Sequence, residues 1–367
     1  MCCSSASTDT LLIRRAPTQH LIAAGLVALL AACGGGGGSG GAMPPPVSNQ
    51  TLGLMIDTPN LSTATQAEID AAVKLAVDTG AKGIVVNYPW SSLERQPGRI
   101  DVTALKAELA RYNGQGLQIY VGIQVINTVK REVPADLATT AFNDPAFIAR
   151  FHALFDAIRT ALTGGEKYIT IGNEVDAYLS SNPAEWVTYQ MFYEDAVAYI
   201  HTQSPALKVG VTTTIDGYAS ASSAAVHDLN IKSDVVALTY YPIQGGSQVR
   251  ASNAPATDFP TMVNLAAGRP VVLQEVGFPS GAMNGSSEQS QSAFVTSAFQ
   301  AWRSAGTSIP FMNYFILYDF DAPTCAALDV YYGLSDPAFT SFLCTLGLKN
   351  ADGTDKAAWS AFVAAAK

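Results

Sequence analysis

The sequence predicts an α/β protein built as a single (β/α)8 barrel, the TIM barrel, and three observations support this fold class. From residue 51 onward, short β-rich segments alternate with longer amphipathic segments, and eight such units can be counted. The chain has 367 residues, of which 48% are hydrophobic, enough to fill a large core. The first strand ends in Met-Ile-Asp-Thr-Pro at 55–59 rather than in a glycine-rich phosphate turn, which disfavours the alternative, a doubly wound open sheet. The barrel domain is assigned to residues 51–367.

The predicted strands are rich in apolar residues, as parallel strands buried on both faces should be. The third is nearly continuous in apolar character, and the fourth begins with the alternating run Tyr-Ile-Thr-Ile. In chain order, the eight strands are predicted at 51–57, 82–90, 117–126, 168–176, 208–214, 234–242, 270–278 and 311–320.

The predicted helices follow from apolar residues spaced three and four positions apart. The first stops at Gly80, and the third begins at Pro145, a first-turn position where the missing N–H of proline does no harm. The helices between strands are predicted at 65–79, 102–113, 145–162, 183–202, 222–230, 259–267 and 288–305. Two further helices are predicted to close the chain, at 338–346 and 357–366.

Residues 1–33 resemble a bacterial lipoprotein signal peptide and are kept apart from the fold. Arg14 and Arg15 precede an apolar run at 21–32, which is shorter than the roughly 20 residues that a membrane-spanning helix needs. The run ends in Leu-Ala-Ala-Cys, where Cys33 would be lipidated; an ordinary secretory signal with an incidental cysteine is the alternative. Both interpretations predict export, either as an outer-membrane lipoprotein on the periplasmic or cell-surface face or as a secreted protein.

Residues 34–50 are rich in glycine and proline and predict a flexible linker. With 21 basic and 30 acidic residues, the chain has a net charge of −9, and its body lacks the basic cluster that nucleic acids attract. We therefore expect no nucleic-acid partner. Membrane contact is expected only through the lipid anchor, and the protein is expected to be a monomer.

Cys325 and Cys344 are close enough in sequence to form a disulfide bond in an oxidising compartment, and two unpaired buried thiols are the alternative. His152, His201 and His227 lack the spacing of metal ligands. The sequence therefore predicts no metal and no other cofactor.

Two glutamates stand near the ends of predicted strands, Glu174 in the fourth and Glu275 in the seventh. In a (β/α)8 barrel the active site lies at the carboxyl ends of the strands, so both side chains should reach one mouth. Amide and aromatic side chains at the same strand ends suit the hydroxyl groups and the apolar faces of sugar rings. The candidate substrate-binding residues are Asn173, Tyr241, Tyr240, Trp90, Tyr88 and Tyr314.

The pair Asn173-Glu174 at the end of the fourth strand resembles the clan A glycoside hydrolases, retaining enzymes on a (β/α)8 barrel. The nucleophile of that clan is a glutamate at the end of the seventh strand, matched here by Glu275. The runs 171–175 and 275–280 most resemble the family 17 β-1,3-glucanases, although Phe278 stands where that family typically has tryptophan. Tyr241 resembles the sixth-strand tyrosine that hydrogen bonds to the nucleophile.

The resemblance implies a retaining hydrolase that cleaves a β-glucan or a related polysaccharide or oligosaccharide by double displacement. Glu275 would be the nucleophile and Glu174 the general acid/base. Asn173 would bind the 2-hydroxyl of the substrate, and Tyr241 would orient the nucleophile.

Several alternatives stay open at this point. The protein could be a glycan-binding surface lipoprotein that keeps the barrel without turnover, or a barrel enzyme of other chemistry that uses Asp57 or Asp319. Trp90 and Tyr88 could pack in the core or at the rim rather than stack on sugar. Tyr240, rather than Tyr241, could be the residue that orients the nucleophile.

Overall fold

The computed structural model describes residues 49–220 and 223–367, and in them a parallel barrel is surrounded by helices. The predicted fold class is confirmed. The signal peptide predicted at 1–33, with Cys33, and the linker up to residue 48 lie outside the described residues and stay predictions. The barrel strands are β1 (Thr51–Leu54), β2 (Gly83–Pro89), β3 (Gln118–Asn127), β4 (Glu166–Asn173), β5 (Lys208–Gly210 and Thr212–Thr214), β6 (Val236–Tyr240), β7 (Val271–Val276) and β8 (Phe311–Tyr314).

The strands pair in chain order, all in parallel. β1 pairs with β8, with Thr51 opposite Phe311, and β4 pairs with the first segment of β5, with Tyr168 opposite Lys208. The second segment of β5 pairs with β6 instead. Because only Val211 separates the two segments, β5 connects the two ends of the sheet.

Helices connect the strands, and several begin with side chains that bind their free N–H groups. Thr65 and Glu68 form a capping box at the start of α1, and Asp144 caps α4 just before Pro145. The α-helices are α1 (Gln66–Thr79), α2 (Trp90–Leu93), α3 (Thr103–Gly114), α4 (Pro145–Arg159), α5 (Val175–Ser181), α6 (Trp186–Gln203), α7 (Ile215–Ala219), α8 (Ala224–Leu229), α9 (Pro255–Leu265), α10 (Glu288–Ala305), α11 (Ala322–Tyr332), α12 (Pro337–Cys344) and α13 (Ala357–Ala366).

The core has an inner and an outer part. Two larger clusters of buried side chains lie between the strands and the helices, and the rings of Phe147 and Phe192 meet there edge to face at 5.2 Å. In the described part of the chain, no helix has the length and apolar character needed to cross a membrane. The inner cluster, drawn mainly from β2, β3, β4, β6, β7 and β8, consists of Val85, Tyr120, Tyr168, Val235, Ala237, Val272 and Phe311.

Three strands end three or more residues before their predicted last residue because the chain leaves the sheet early. β1 ends at Leu54, β4 at Asn173 and β8 at Tyr314, rather than at 57, 176 and 320. After β4, the positive φ angles of Gly172 (87°) and Glu174 (47°) turn the chain directly into α5. A Cβ at Gly172 would also meet the side chains of Val175 and Tyr189 at 2.3 and 2.6 Å, so this turn requires glycine.

Helix α11 is absent from the sequence prediction, although its start carries recognisable signals. The side chain of Asp321 accepts a hydrogen bond from the N–H of Thr324, and Pro323 lies in the first turn. The aromatic residues before the helix were interpreted as part of the eighth strand, which was therefore predicted to extend to residue 320, and the helix was not predicted. Cys325 of α11 and Cys344 of α12 form the predicted disulfide bond.

Candidate active site

A cavity of about 490 Å³ lies at the carboxyl ends of the strands, and both Glu174 and Glu275 line it. Its volume is in the range of roughly 300–1,000 Å³ that small-molecule sites occupy. Its polar wall includes Asn127, Thr128, Asn173, Thr214, Asp216 and Thr239, and its apolar and aromatic wall includes Ile215, Tyr241, Ile243, Phe315, Tyr332, Phe339, Phe342 and Leu343.

Glu174 enters the cavity from the turn between β4 and α5. Its two carboxylate oxygens accept hydrogen bonds from two threonine hydroxyls, Oε1 from Thr239 at 2.7 Å and Oε2 from Thr128 at 2.8 Å. Thr239 belongs to β6, and Thr128 directly follows β3. Because both oxygens have a donor on a different strand, the carboxyl group is fixed in orientation.

Glu275 reaches the cavity because β7 contains a bulge. Leu273 pairs with Leu238, but Glu275 pairs with Thr239, so one residue of β6 stands opposite two of β7. A bulge of this kind breaks the alternation of side chains and re-aims them. Gln274 and Glu275 therefore both face the barrel interior. The hydroxyl of Tyr241 donates to Oε2 of Glu275 at 2.7 Å.

Asn173 is held by a buried network of polar side chains below the two glutamates. Its amide nitrogen donates to Asn127 Oδ1 at 3.0 Å, and its amide oxygen accepts from Gln274 Nε2 at 2.8 Å. The hydroxyl of Tyr120 donates to Gln274 Oε1 at 2.8 Å, and the hydroxyl of Thr212 also bonds to that oxygen. Such a network fixes the Asn173 side chain without solvent.

Both glutamates favour the protonated form because the protein shields them from water. Burial raises the pKa of Glu174, while the hydroxyls of Thr239 and Thr128 act in the opposite direction. Burial raises the pKa of Glu275 to about 8, and the negative charge of Glu174 contributes to this rise. Since two buried negative charges repel each other, loss of the last proton from the pair is disfavoured. Two neighbouring carboxyl groups that share a proton can supply one acid and one carboxylate, the combination used in acid and nucleophile chemistry.

The prediction that Trp90, Tyr240 and Tyr314 bind substrate is wrong, because all three are buried in the core. The Trp90 ring packs edge to face on Phe147 at 5.2 Å. The hydroxyl of Tyr240 donates to Asp258 at 2.8 Å, on the helix side of β6. Side chains alternate along a strand, so the residue after Tyr240 faces the cavity and Tyr240 itself does not.

Tyr88 is also misplaced by the prediction. It is half-buried and does not line the cavity, and its hydroxyl donates to Glu108 of α3 at 2.6 Å. Its neighbour Asn87 lines the cavity instead, again because side chains alternate along the strand. Of the predicted binding residues, Asn173 and Tyr241 line the cavity.

Sequence reasoning missed several residues that surround the glutamates. Thr128 and Thr239 are short hydroxyl residues at strand ends, a pattern too common to single them out. Tyr332 lies on the unpredicted α11, and its pKa is raised by burial and by the charge of Glu174. Phe342 lies on α12, where a helix was predicted, and its ring meets Tyr241 edge to face at 5.4 Å.

The alternative catalytic carboxylates, Asp57 and Asp319, do not line the cavity. Asp57 accepts a hydrogen bond from the N–H of Tyr318 at 2.8 Å, and Asp319 forms an ion pair with Lys356 at 2.6 Å. Among residues 49–220 and 223–367, no group of three or more His, Cys, Asp or Glu side chains is arranged to hold a metal ion.

No protein-family model matches the sequence, and no curated protein matches it. Solved structures do match. GH5_18 from Streptomyces cattleya in complex with GlcNAc is 18% identical, with a TM-score of 0.67 over 87% of this chain and 80% of that chain. GH5_18 from Bifidobacterium longum subsp. longum in complex with Manb1-4GlcNAc is 17% identical, with a TM-score of 0.68 over 86% and 78%. An exo-beta-1,4-mannosidase from Opitutaceae bacterium strain TAV5 is 19% identical, with a TM-score of 0.67 over 89% and 60%.

At these identities the similarity establishes the fold, not the activity. The matching structures are clan A glycoside hydrolases with a (β/α)8 barrel, and a family 39 enzyme from Bacteroides cellulosilyticus WH2 matches at a TM-score of 0.64. The barrel expected from the clan resemblance is therefore present. The finer resemblance to family 17 finds no support in these structures.

Proposed function

We propose that this protein is a retaining β-glycoside hydrolase in which Glu275 is the nucleophile and Glu174 the general acid/base. The observation that supports this best is the sharing of one cavity by the two glutamates, which Thr239 connects. Thr239 is the pairing partner of Glu275 across β6 and β7, and its hydroxyl binds Glu174. Retaining hydrolysis requires two such neighbouring carboxyl groups.

The first step forms a covalent glycosyl–enzyme intermediate. A carboxylate oxygen of Glu275 attacks the anomeric carbon while the bond from that carbon to the leaving oxygen breaks. Glu174 gives its proton to the leaving oxygen. Tyr241 keeps the Glu275 carboxylate in a fixed orientation through its hydroxyl.

The second step returns both groups to their starting states. Esterified Glu275 no longer carries a charge, so the pKa of Glu174 falls and Glu174 can act as a base. It takes a proton from water, whose oxygen attacks the anomeric carbon and releases the Glu275 carboxylate. Asn173 uses one amide hydrogen for Asn127 and has a second for the 2-hydroxyl of the sugar.

Two substrate classes are supported by different observations. The sequence runs around Glu174 and Glu275 favour a β-glucan. The matching structures include a complex with Manb1-4GlcNAc and an exo-beta-1,4-mannosidase, which favours a β-mannoside. Hydrolysis rates on aryl β-glucosides and aryl β-mannosides, and then on β-1,3-, β-1,4- and β-1,6-linked glycans, distinguish the two substrate classes.

The decisive experiment is removal of the nucleophile. We expect Glu275→Ala to lower kcat on an activated aryl β-glycoside by at least about 10⁴-fold, because no covalent intermediate can form. Added azide should restore turnover and give the glycosyl azide of inverted configuration. Glu194→Ala on α6 is the matched control and should keep full activity. Normal activity of the Glu275 variant would refute the assignment.

A glycan-binding protein without turnover is the second candidate, since the aromatic wall that includes Tyr241, Phe315 and Tyr332 suits a sugar ring whether or not the two glutamates react. Binding of a hexasaccharide without release of any product by the wild-type protein would favour it.

We also propose export as a lipoprotein, supported by the sequence pattern at 21–33. Labelled palmitate should enter the full-length chain but not its Cys33→Ala variant. Equal incorporation of labelled palmitate into the wild-type chain and the Cys33→Ala variant would exclude Cys33 as the lipidated residue.

A further inference from the structure

The chain after β8 forms two helices that cover part of the cavity. We call residues 322–344, which contain α11 and α12, the α11–α12 segment. Four of its residues line the cavity: Tyr332 from α11, and Phe339, Phe342 and Leu343 from α12. The rings of Tyr332 and Phe339 meet edge to face at 5.1 Å. This segment therefore supplies a large share of the aromatic wall.

The segment is anchored to the loops that follow β1 and β3. At its start, the carboxylate of Asp321 accepts a hydrogen bond from the hydroxyl of Ser62 at 2.7 Å. At the end of α11, the hydroxyl of Tyr331 lies 3.1 Å from both the carbonyl oxygen of Asn127 and Oε1 of Glu132, which share its single hydrogen as acceptors. Starting from β8, the segment thus passes the ends of β1 and β2 to reach the end of β3.

The segment is also anchored on its other side. Asn284, which follows β7, donates to the carbonyl oxygen of Ala338 at 2.8 Å and accepts from the hydroxyl of Ser341 at 2.8 Å. The disulfide bond from Cys325 to Cys344 joins the two helices to each other. Contacts therefore run from the loop after β7, past β8, to the end of β3.

The remaining side of the cavity belongs to β5 and β6. Ile215 and Asp216, which follow β5, and Ile243, which follows β6, line the cavity there. Asp216 is exposed to solvent, and Ile215 and Ile243 are half-buried. Solvent therefore reaches this side of the mouth.

We propose that the α11–α12 segment restricts the site to chain ends, so that the protein removes terminal units from the nonreducing end of a β-linked oligosaccharide or polysaccharide. This inference rests on the proposed function, because it takes Glu174 as the acid beside the leaving group. Glu174 follows β4, between the end of β3, to which the segment is anchored, and the open side at β5. Room for the leaving part of the substrate is therefore on the open side, toward β5 and β6. The terminal sugar then lies beneath Tyr332, and the segment stands across the path of any further unit.

The first test follows the products of the wild-type protein on β-1,4-mannohexaose, on β-1,3-glucohexaose and on the corresponding polymers. We expect a single small sugar from the earliest time points, stepwise shortening of the remaining chain and a slow fall in polymer viscosity. Mid-sized products with a rapid fall in viscosity would overturn the inference and leave the hydrolase assignment intact.

The second test measures binding and does not depend on turnover. The probes are the same hexasaccharides with and without a 4,6-O-benzylidene group on the nonreducing terminal unit, titrated into the Glu275→Ala variant. We expect the bulky group to weaken binding by about tenfold or more, equivalent to the loss of one well-packed group. Equal affinity for the two probes would overturn the inference. If the wild type hydrolyses none of the glycans but the Glu275→Ala variant binds the free probe more tightly than the blocked one, the hydrolase assignment is refuted. The inference that the segment closes the cavity beyond the terminal unit is then supported.

A third test loosens the segment at its anchor on β3. Tyr331→Phe removes the hydroxyl that binds Asn127 and Glu132 but keeps the ring. We expect the rate on the blocked probe, relative to the free one, to rise by about fivefold, the effect of one hydrogen bond. Tyr199→Phe is the control, because it removes a hydroxyl that binds Asp156 on the outer helices. An equal rise in both variants would contradict the role of the segment.

Discussion

Thr128 and Glu174 both have a left-handed backbone conformation, with φ angles of 49° and 47°. Such a conformation costs of order 1–3 kcal/mol for a residue other than glycine, and it is kept where the surrounding structure requires it. Here the two residues hydrogen bond to each other, and the N–H of Thr128 also donates to the carbonyl oxygen of Asn173 at 2.9 Å. The orientation of the proposed acid/base therefore depends on Thr128.

We predict that Thr128→Val lowers kcat by roughly tenfold and raises the pKa of Glu174, because a donor to its charged form is lost. The pH dependence of kcat, measured on an aryl glycoside, should show the alkaline limb moved to higher pH, with KM little changed. Thr128→Ser, which restores the hydroxyl, should restore the profile. A fall in kcat without a shift of the profile would indicate a purely structural role.

The pH dependence of the wild type follows from the shared proton. Activity requires one proton on the pair of glutamates, and the pKa of Glu275 is raised to about 8, first by burial and then by the charge of Glu174. We therefore predict that kcat/KM falls as the pH rises through about 8, when the pair loses its last proton. Initial rates between pH 4 and 10 test this. A rate that stays constant up to pH 10 would be inconsistent with a shared proton.

At the scale of residues, the two glutamates were predictable because counting strands assigns each to a strand end. The bulge that turns both Gln274 and Glu275 inward was not, since nothing in Val-Leu-Gln-Glu marks the shift of register. Tyr88 and Tyr240 were misplaced because one position along a strand separates the cavity from the core. The role of Thr128 depends on a backbone angle that its residue type disfavours.

At the scale of elements, α11 is distinctive because none of its residues is fully buried. A helix with few buried contacts opens at a low free-energy cost, so its anchors matter. Its cap at Asp321 could be recognised in the sequence, whereas its position over the cavity depends on distant partners such as Asn127 and Glu132.

We predict that replacing both cysteines, Cys325→Ser with Cys344→Ser, speeds amide hydrogen exchange in α11 and α12 but not in α10. The bond closes a loop with a sequence separation of 19, for which the chain-entropy model gives about 3 kcal/mol. Exchange followed by mass spectrometry on the full chain tests this. Unchanged exchange in α11 would show that hydrogen bonds alone hold the segment.

At the scale of the whole molecule, buried carboxyl groups make stability depend on pH. Burial raises the pKa of Asp176 and of Asp319 to about 6, from an ordinary value of 3.8. Between these values the folded state binds more protons than the unfolded chain, so the free energy of unfolding falls as the pH rises. The raised pKa of Glu174 acts in the same direction, and the raised pKa of Glu275 does so up to about pH 8.

We therefore predict a higher Tm near pH 5 than at pH 8, measured by thermal unfolding in buffers of equal ionic strength. Asp176→Asn should flatten the change between pH 4 and 6, since it keeps an acceptor for Thr214 but no longer titrates. A Tm that rises from pH 5 to 8 would contradict the argument.

The hydrogen bond from Thr239 to Glu174 affects the mechanics of the site as well as its chemistry. The main chain of Glu174 comes from β4, but its carboxyl group is held by a residue of β6 that pairs directly with Glu275 of β7. Thr239 therefore joins the Glu174 carboxyl group to the strand pair that carries Glu275, while Thr128 joins it to the end of β3. A displacement of β6 would thus shift the proposed acid/base together with the strand partner of the proposed nucleophile.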